Sequence, residues 1–317
     1  EEGLKGVTSN PAIFEKALAA GDDYQDFIRE HGATARDAIA LYERIAIRDI
    51  QEAADILKPV YDQTKKRDGY VSLEVSPALA SDTQKTLEEA TRLWQIVNRP
   101  NLMVKVPATA AGVPAIQKLI ADGINVNVTL LFSQNAYAQV AEAYIAGLEK
   151  YAEWFADLSS VASVASFFVS RIDSLVDQQI EEKLKTATGD EKTTLENLRG
   201  QTAIANAKLA YQIYLEKFSG TRWEKLAAKG AQTQRVLWAS TGTKNPKYSD
   251  VLYVEELIGE ETVNTIPPAT WNAFRDHGKL RESLTEDVEG ARETLASLER
   301  AGIALGPRTE RLLVNAK

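Results

Sequence analysis

The chain has 317 residues, of which 44% are hydrophobic and 26% are charged, and its formal net charge at pH 7 is −8. This composition excludes disordered and fibrous proteins, and the acidic balance argues against nucleic acid or an anionic membrane as a partner. The absence of cysteine excludes disulfides, thiolate nucleophiles and Cys-ligated metals, and it fits a reducing cytoplasm. No apolar run has the length of a membrane span, and no signal peptide is visible.

Short apolar segments alternate with longer amphipathic segments along the chain. In the segment Lys85–Val97 apolar residues recur at helical spacing, and Ala203–Phe218 shows a second helical pattern. Repeated strand–helix units predict an α/β protein with a parallel sheet. The seven predicted strands are Leu4–Ser9, Tyr70–Ser76, Asn101–Pro107, Ile124–Phe132, Ser160–Val169, Gln234–Ser240 and Glu261–Ile266.

The predicted strands are one short of a closed barrel. A (β/α)8 TIM barrel requires eight parallel strands, whereas the sequence predicts seven. We therefore expect a TIM barrel whose first strand is missing from this chain and would precede Glu1, which is not an initiator methionine. The polar segment at about residues 185–201 is predicted to be a surface excursion of helix and loop. Residues 1–317 are accordingly predicted to form a single domain.

Three neighbouring strands are polar on one face only. Side chains alternate between the two faces of a strand, so Glu74, Lys105, Asn127 and Thr129 are each flanked by apolar residues of the opposite face. The apolar face is expected to pack on helices. The polar face is expected to line the barrel interior near its C-terminal mouth, where the active sites of such barrels lie.

Lys105 is the candidate nucleophile of this face. Burial disfavours an ammonium ion, and a neutral amine can attack a carbonyl to form a Schiff base. The alternative is a lysine that reaches solvent past the strand end. Glu74 could move protons through a held water while the carbinolamine loses water, or it could serve only as a charge partner of Lys105. Asn127 and Thr129 could instead be core polar groups satisfied by the backbone.

Two cationic positions follow late strands. Arg171 comes after an apolar run, and Lys244 ends a small-residue loop that begins at Ser240. Both suit phosphate binding, although such a loop could also be a solvated turn. His31 and His277 lie in polar stretches and are predicted to be surface residues. No metal-ligand spacing, Ser-His-Asp arrangement or nucleotide-binding Gly-rich motif is present in the sequence.

Six motifs resemble the transaldolase family, in the family's order, from about Leu4 to the region Thr265–Pro268. The similarity is greatest to the longer bacterial members, which sometimes occur fused to a phosphoglucose isomerase domain. The motifs are Gly6–Pro11 (GVTSNP), Val71–Pro77 (VSLEVSP), Asn101–Thr109 (NLMVKVPAT), Gly123–Ser133 (GINVNVTLLFS), Ser166–Asp173 (SFFVSRID) and Ala239–Pro246 (ASTGTKNP).

The resemblance implies a class I enzyme of the pentose phosphate pathway that uses no cofactor and no metal. Such an enzyme transfers a dihydroxyacetone unit from a ketose phosphate (sedoheptulose 7-phosphate or fructose 6-phosphate) to an aldose phosphate (glyceraldehyde 3-phosphate or erythrose 4-phosphate). It implies that Lys105 forms the Schiff base and that Glu74 and Thr129 hold the catalytic water. Sugar contacts are implied for Asn10, Asn127 and Ser166, pocket shape for Phe168, and phosphate contacts for Arg171, Ser240 and Lys244.

One feature of the family has no counterpart in this sequence. Its members carry an acid/base aspartate on the first barrel strand, and no segment here matches that strand. Two alternatives are a fructose 6-phosphate aldolase-like enzyme, which would release dihydroxyacetone to water, and a catalytically dead barrel that binds sugar phosphate. The expected location is cytoplasmic, with no nucleic-acid or membrane partner. A homodimer or a fused isomerase domain is left open.

Overall fold

The computed structural model describes residues 3–20 and 23–315. Its centre is a parallel sheet of seven strands, and each strand pairs with the next one along the chain. All seven predicted strands are confirmed, and each is shorter than its predicted range. They are β1 (Gly6–Thr8), β2 (Tyr70–Glu74), β3 (Leu102–Pro107), β4 (Val126–Leu131), β5 (Ser163–Phe168), β6 (Arg235–Ala239) and β7 (Thr262–Asn264).

Helices fill the connections between the strands and form the C-terminal region. The helices predicted at Lys85–Val97 and Ala203–Phe218 are confirmed as α4 and α9. The C-terminal region contains α13 and α14, and residues 316–317 lie outside the described part. The helices are α1 (Pro11–Ala20), α2 (Gln25–His31), α3 (Ala38–Gln63), α4 (Thr83–Val97), α5 (Gly112–Ala121), α6 (Gln134–Tyr151), α7 (Ser170–Leu184), α8 (Gly189–Leu198), α9 (Thr202–Lys217), α10 (Gly220–Ala227), α11 (Leu252–Glu256), α12 (Pro268–His277), α13 (Val288–Arg300) and α14 (Leu305–Asn315).

Polar side chains fix the starts of three long helices. Asp37 accepts a hydrogen bond from the backbone of Ala40 at the start of α3, and Asp82 and Ser133 cap α4 and α6 in the same way. Each cap satisfies a backbone N–H that the helix itself leaves without a partner, which typically contributes about 1 kcal/mol. Local sequence therefore determines where these three helices begin.

The sheet curls into a barrel that has a seam. Within the described residues, β1 pairs only with β2 and β7 pairs only with β6, so these two strands border the seam. The curl is visible at the N-terminal end of the sheet, where Arg235 on β6 donates to Asp68, just before β2, at 2.9 Å. Arg67 forms an ion pair with Glu261, just before β7. These contacts link the strands at the N-terminal end of the barrel, which we call its floor. The C-terminal end is left for a site.

The two faces of the sheet bury different side chains. On the outer face the core extends from Phe14 to Ile303 and includes Val104 and Val126, which are fully buried. Inside the barrel a smaller cluster contains Met103 and Leu237. Burying a side chain of this size contributes about 1.5–3 kcal/mol relative to leaving it in water. The alternation predicted from sequence therefore directs the polar face of the strands into the barrel.

The polar segment at residues 185–201 contains α8. Most of its residues are exposed, but Leu195 and Leu198 are buried in the main core, so hydrophobic packing anchors the segment to the barrel. Among the helices that the structure describes, none has the length and apolar character needed to cross a bilayer.

Candidate active site

Lys105 lies inside the barrel and contacts a carboxylate. Its position on β3 is paired in register with Glu74 on β2 and with Asn127 on β4. Both Lys105 and Asn127 are buried. The amine Nζ lies 3.0 Å from Glu74 Oε2 and 3.5 Å from the carbonyl oxygen of Ser9. Lys105 therefore does not reach past the strand end to solvent, and the two groups expected to perform acid–base and nucleophilic chemistry are in direct contact.

A chain of hydrogen bonds crosses the barrel interior beside Lys105. Ser166 Oγ on β5 donates to Asn127 Oδ1 at 2.7 Å, and Asn127 Nδ2 donates to Ser72 Oγ on β2 at 2.9 Å. The chain fixes the orientation of the Asn127 amide, because each end of the amide has a partner. The sequence analysis assigned no role to Ser72. Its position on the polar face of β2 was the one feature that could have indicated a place in the site.

Thr129 lies where β4 is irregular. The register between β4 and β5 shifts between Val128 and Leu131, and Leu130 has a φ of 63° in the left-handed region. Such a bulge redirects side chains near the end of a strand. Thr129 is fully buried, and its Oγ1 has no hydrogen-bond partner among the described residues. A buried hydroxyl without a protein partner is suited to bind a water or a substrate hydroxyl.

Asn10 follows β1 and has a structural role in addition to its predicted one. Its Oδ1 accepts a hydrogen bond from the backbone of Ile13 at 2.9 Å, at the start of α1. The preceding residue, Ser9, donates its hydroxyl to the carbonyl of Ser72 and places its own carbonyl near Lys105. Asn10 therefore lies at the mouth with its amide nitrogen as the group that could contact a sugar.

The predicted anion-binding residues gather where β5 and β6 end. Arg171 is exposed in the first turn of α7, and its guanidinium carbon lies 4.9 Å from the ring centre of Phe168. No carboxylate in the described part of the chain pairs with Arg171. Ser240 Oγ is 3.0 Å from Ser170 Oγ, next to Arg171. A cation at a helix N-terminus, where backbone N–H groups are also available, suits a phosphate.

Lys244 is less well integrated into this group. It is exposed, and no hydrogen bond or ion pair in the described structure links it to Arg171 or Ser240. Its place in the loop after β6 keeps it on the same side of the barrel. A contact from Lys244 to a phosphate stays a prediction.

The two histidines lie outside this constellation. The His31 ring packs at a tilt against Phe27, and His277 pairs with Asp250 and Asp276, whose hydrogen bonds raise its pKa. Neither histidine contacts a predicted site residue in these interactions. Across residues 3–20 and 23–315, no cluster of three or more His, Cys, Asp or Glu side chains is arranged to hold a metal ion.

Sequence reasoning missed three groups near this site. Tyr42 on α3 has a raised pKa because it is partly buried and because the charge of Glu74 acts on it. Asp173 and Asp177 are buried on α7 just after Arg171. Desolvation raises the pKa of both carboxyl groups, that of Asp173 to about 7. The only sequence signal for Asp173 was its position in the motif that contains Arg171.

These features define an α/β barrel with a buried lysine–carboxylate pair at its mouth and a cationic group nearby. The model of the Transaldolase/Fructose-6-phosphate aldolase family matches residues 1–316, so the chain belongs to this family.

Three relatives show the extent of the similarity. The "Transaldolase" of Trichodesmium erythraeum is 49% identical over 300 residues, which cover 94% of this chain and 79% of that protein. The "Transaldolase" of Thermobifida fusca is 48% identical over 316 residues, covering 98% and 83% respectively. That of Thiobacillus denitrificans is 48% identical over 312 residues, covering 98% and 85%.

Proposed function

We propose that this chain is a transaldolase that transfers a dihydroxyacetone unit between sugar phosphates through a Schiff base at Lys105. The observation that carries the proposal is the 3.0 Å contact between Lys105 and Glu74 at the C-terminal mouth of a barrel of this family. The printed names of the relatives favour transfer, whereas the family description covers both transfer and simple aldol cleavage.

The residues around Lys105 support the covalent steps. The amine attacks the C2 carbonyl of a ketose phosphate, and the carbinolamine loses water as Glu74 returns a proton to the leaving oxygen. Thr129 Oγ1 would hold that water, since this hydroxyl is buried without a protein partner. Cleavage between C3 and C4 releases an aldose phosphate and leaves an enamine on Lys105. The enamine attacks the acceptor aldehyde, and water then frees the new ketose.

The remaining predicted residues would bind the substrate. Asn10, Asn127 and Ser166 would hydrogen-bond the sugar, and Phe168 would shape the pocket. Arg171, Ser240 and Lys244 would hold the phosphate. The base that removes the C4 hydroxyl proton is the role that the resemblance gives to an aspartate of the first barrel strand, and this assignment stays a prediction.

The test of the proposal is whether an acceptor is required. With fructose 6-phosphate and erythrose 4-phosphate together, we expect sedoheptulose 7-phosphate and glyceraldehyde 3-phosphate in equal amounts. With fructose 6-phosphate alone, we expect at most one turnover and no steady release of dihydroxyacetone, because the enamine is consumed by an aldehyde acceptor. Product analysis by chromatography makes the distinction. Continuous release of dihydroxyacetone without an acceptor would instead establish the aldolase alternative.

Replacing Arg171 with alanine should weaken binding of phosphorylated substrates selectively. A charge-assisted contact is worth about 2–3 kcal/mol, on the order of 30- to 140-fold in KM. We expect that increase for fructose 6-phosphate and little change for fructose. Lys185→Ala is the matched control, because it removes the same charge just beyond the other end of α7, where Lys185 pairs with Glu182. Equal losses on both sugars would show that Arg171 does not contact the phosphate.

Expectations about the domain, the location and the partners of the chain also belong to this proposal. The described chain is proposed to fold as one domain, since side chains from Phe14 to Ile303 share one core. The cytoplasmic location also stays a prediction, as do a homodimer or a fused isomerase domain.

A further inference from the structure

Two buried aspartates connect α7 to the segment that follows β6. Ser170, Asp173 and Asp177 are spaced by three and four residues, so they lie on one face of α7. All three contact or face the segment at residues 240–253, which begins at Ser240, contains Lys244 and ends in α11. We call it the 240–253 segment. Arg171 projects from the same first turn of α7 but remains exposed.

Asp173 makes the inner of the two attachments. The residue is 1% exposed. Oδ2 accepts a hydrogen bond from the Tyr253 hydroxyl at 2.9 Å, and Oδ1 accepts one from the backbone of Ala203 at 2.7 Å. One carboxylate thereby joins α7, α9 and α11. The desolvation that raises its pKa shows that this position is costly for a charged group.

Asp177 makes the outer attachment. Oδ2 accepts from the Tyr248 hydroxyl at 2.7 Å, and Oδ1 accepts from the backbone of Gly200 at 3.1 Å. The Tyr248 ring lies directly on Gly200, where an added Cβ would stand 2.9 Å from the ring. Gly200 also has a φ of +67°, which favours glycine. The ring, the hydroxyl and the glycine together define a single position for Tyr248.

The segment has a third attachment at its start. Ser170 contacts Ser240 twice, through the two hydroxyls at 3.0 Å and through its backbone N–H to the Ser240 carbonyl at 3.1 Å. Ser240 itself has a φ of 59°, an unusual conformation for a residue with a side chain. Inside the segment, Thr243 donates to the carbonyl of Ser249 at 2.8 Å. The segment is therefore held at its start, near its middle and in α11.

Stability alone is a poor explanation for this arrangement. Buried polar contacts often stabilise a fold no better than apolar side chains of the same size, because desolvation offsets the gain. What they provide is a defined geometry. Here the defined geometry relates Ser240 and Lys244 to the helix that carries Arg171, and these are the residues proposed to bind the phosphate.

We infer that Asp173 and Asp177, through Tyr253 and Tyr248, are positioning residues that hold the 240–253 segment against α7 and so complete the phosphate-binding site. This inference rests on the proposed function. The two carboxylates do not touch the substrate. They act through Ser240 and Lys244, whose distance from Arg171 they set.

The test uses inorganic phosphate as the probe, measured as a competitive inhibitor against fructose 6-phosphate. Tyr248→Phe keeps the ring on Gly200 and removes only the hydroxyl. We expect it to raise the inhibition constant for phosphate and the KM for fructose 6-phosphate by about 10- to 100-fold, since small displacements of binding groups have effects of this size. Borohydride trapping of dihydroxyacetone, which carries no phosphate, should proceed at the wild-type rate.

Two further variants make the result specific. Asp177→Ala removes the carboxylate that accepts from the Tyr248 hydroxyl, so the double variant with Tyr248→Phe should bind phosphate no more weakly than the weaker of the two single variants. Tyr211→Phe is the matched control, because its hydroxyl donates to the Glu260 carbonyl at 3.0 Å and not to the 240–253 segment. It should lose similar stability while phosphate binding stays unchanged.

The inference is overturned if Tyr248→Phe and Asp177→Ala bind phosphate as wild type does, or if neither variant folds, since the contacts would then serve the fold only. Failure of the proposed function has a different signature. In that case the wild-type protein itself would not trap dihydroxyacetone and would not be inhibited by phosphate.

Discussion

Lys105→Ala is expected to abolish borohydride trapping of fructose 6-phosphate and to lower turnover on the order of 10⁴-fold or more. The amine is the only nitrogen nucleophile in contact with Glu74 among the described residues, and it lies buried between two apolar positions of β3. Without it no Schiff base can form, so the reaction loses its covalent intermediate. Mass spectrometry of the trapped wild-type protein should place the dihydroxyacetone adduct on Lys105.

A second buried lysine provides the control for this experiment. Lys208 on α9 is 6% exposed, and its amine donates to the carbonyl of Glu286. Lys208→Met should trap substrate normally, because burial alone does not make a lysine reactive. Thermal unfolding of both variants checks that each is folded. An adduct on any lysine other than Lys105, or trapping that survives in Lys105→Ala, would refute the assignment and with it the proposed mechanism.

Glu74→Gln is expected to slow both formation and hydrolysis of the Schiff base by on the order of 10²–10⁴-fold. The carboxylate touches the amine and is itself largely buried, so it can pass a proton to the carbinolamine oxygen and recover one from water. Glutamine preserves the shape of the side chain but cannot act as a general acid or base. Single-turnover measurements, with imine formation followed by rapid quenching into borohydride, report the first step directly.

The matched control for Glu74 is Glu43→Gln. Glu43 forms a two-contact ion pair with Arg92 on the outside of the barrel, at 2.7 and 2.8 Å. Loss of that pair should affect stability and leave the rate of imine formation unchanged. If Glu74→Gln forms the imine at the wild-type rate, then Glu74 is only the charge partner of Lys105, which was the alternative open from the sequence.

Strand alternation was enough to predict that polar side chains of β2, β3 and β4 meet inside the barrel. Because β2, β3 and β4 are neighbours both in sequence and in space, polar residues on the same face of each strand, such as Glu74 and Lys105, had to converge. The positions of the seven strands followed from the same apolar pattern. Asn127 and Ser166 were expected from the family motifs, and their hydrogen bond places them on the same interior surface.

Other features depend on geometry that local pattern does not contain. The bulge beside Thr129 arises from the registry between β4 and β5, and the capping bond of Asn10 depends on where α1 begins. The charge of Glu74 acts on Tyr42, which lies on a helix more than 30 positions away in the chain. The local sequence around Asp173 is typical of an exposed acidic residue on a helix. Its burial depends on the packing of α9 and α11 around it.

The floor of the barrel has a consequence for the order in which the chain assembles. Every strand pairs with its successor, so the sheet can grow by adding one strand–helix unit at a time, each closing a modest loop. The bond between Arg235 and Asp68 spans 167 positions and belongs to no such local step. It can form only after the five strands β2–β6 have docked. We therefore expect this polar closure to be absent from the folding transition state and to govern the unfolding rate more than the folding rate.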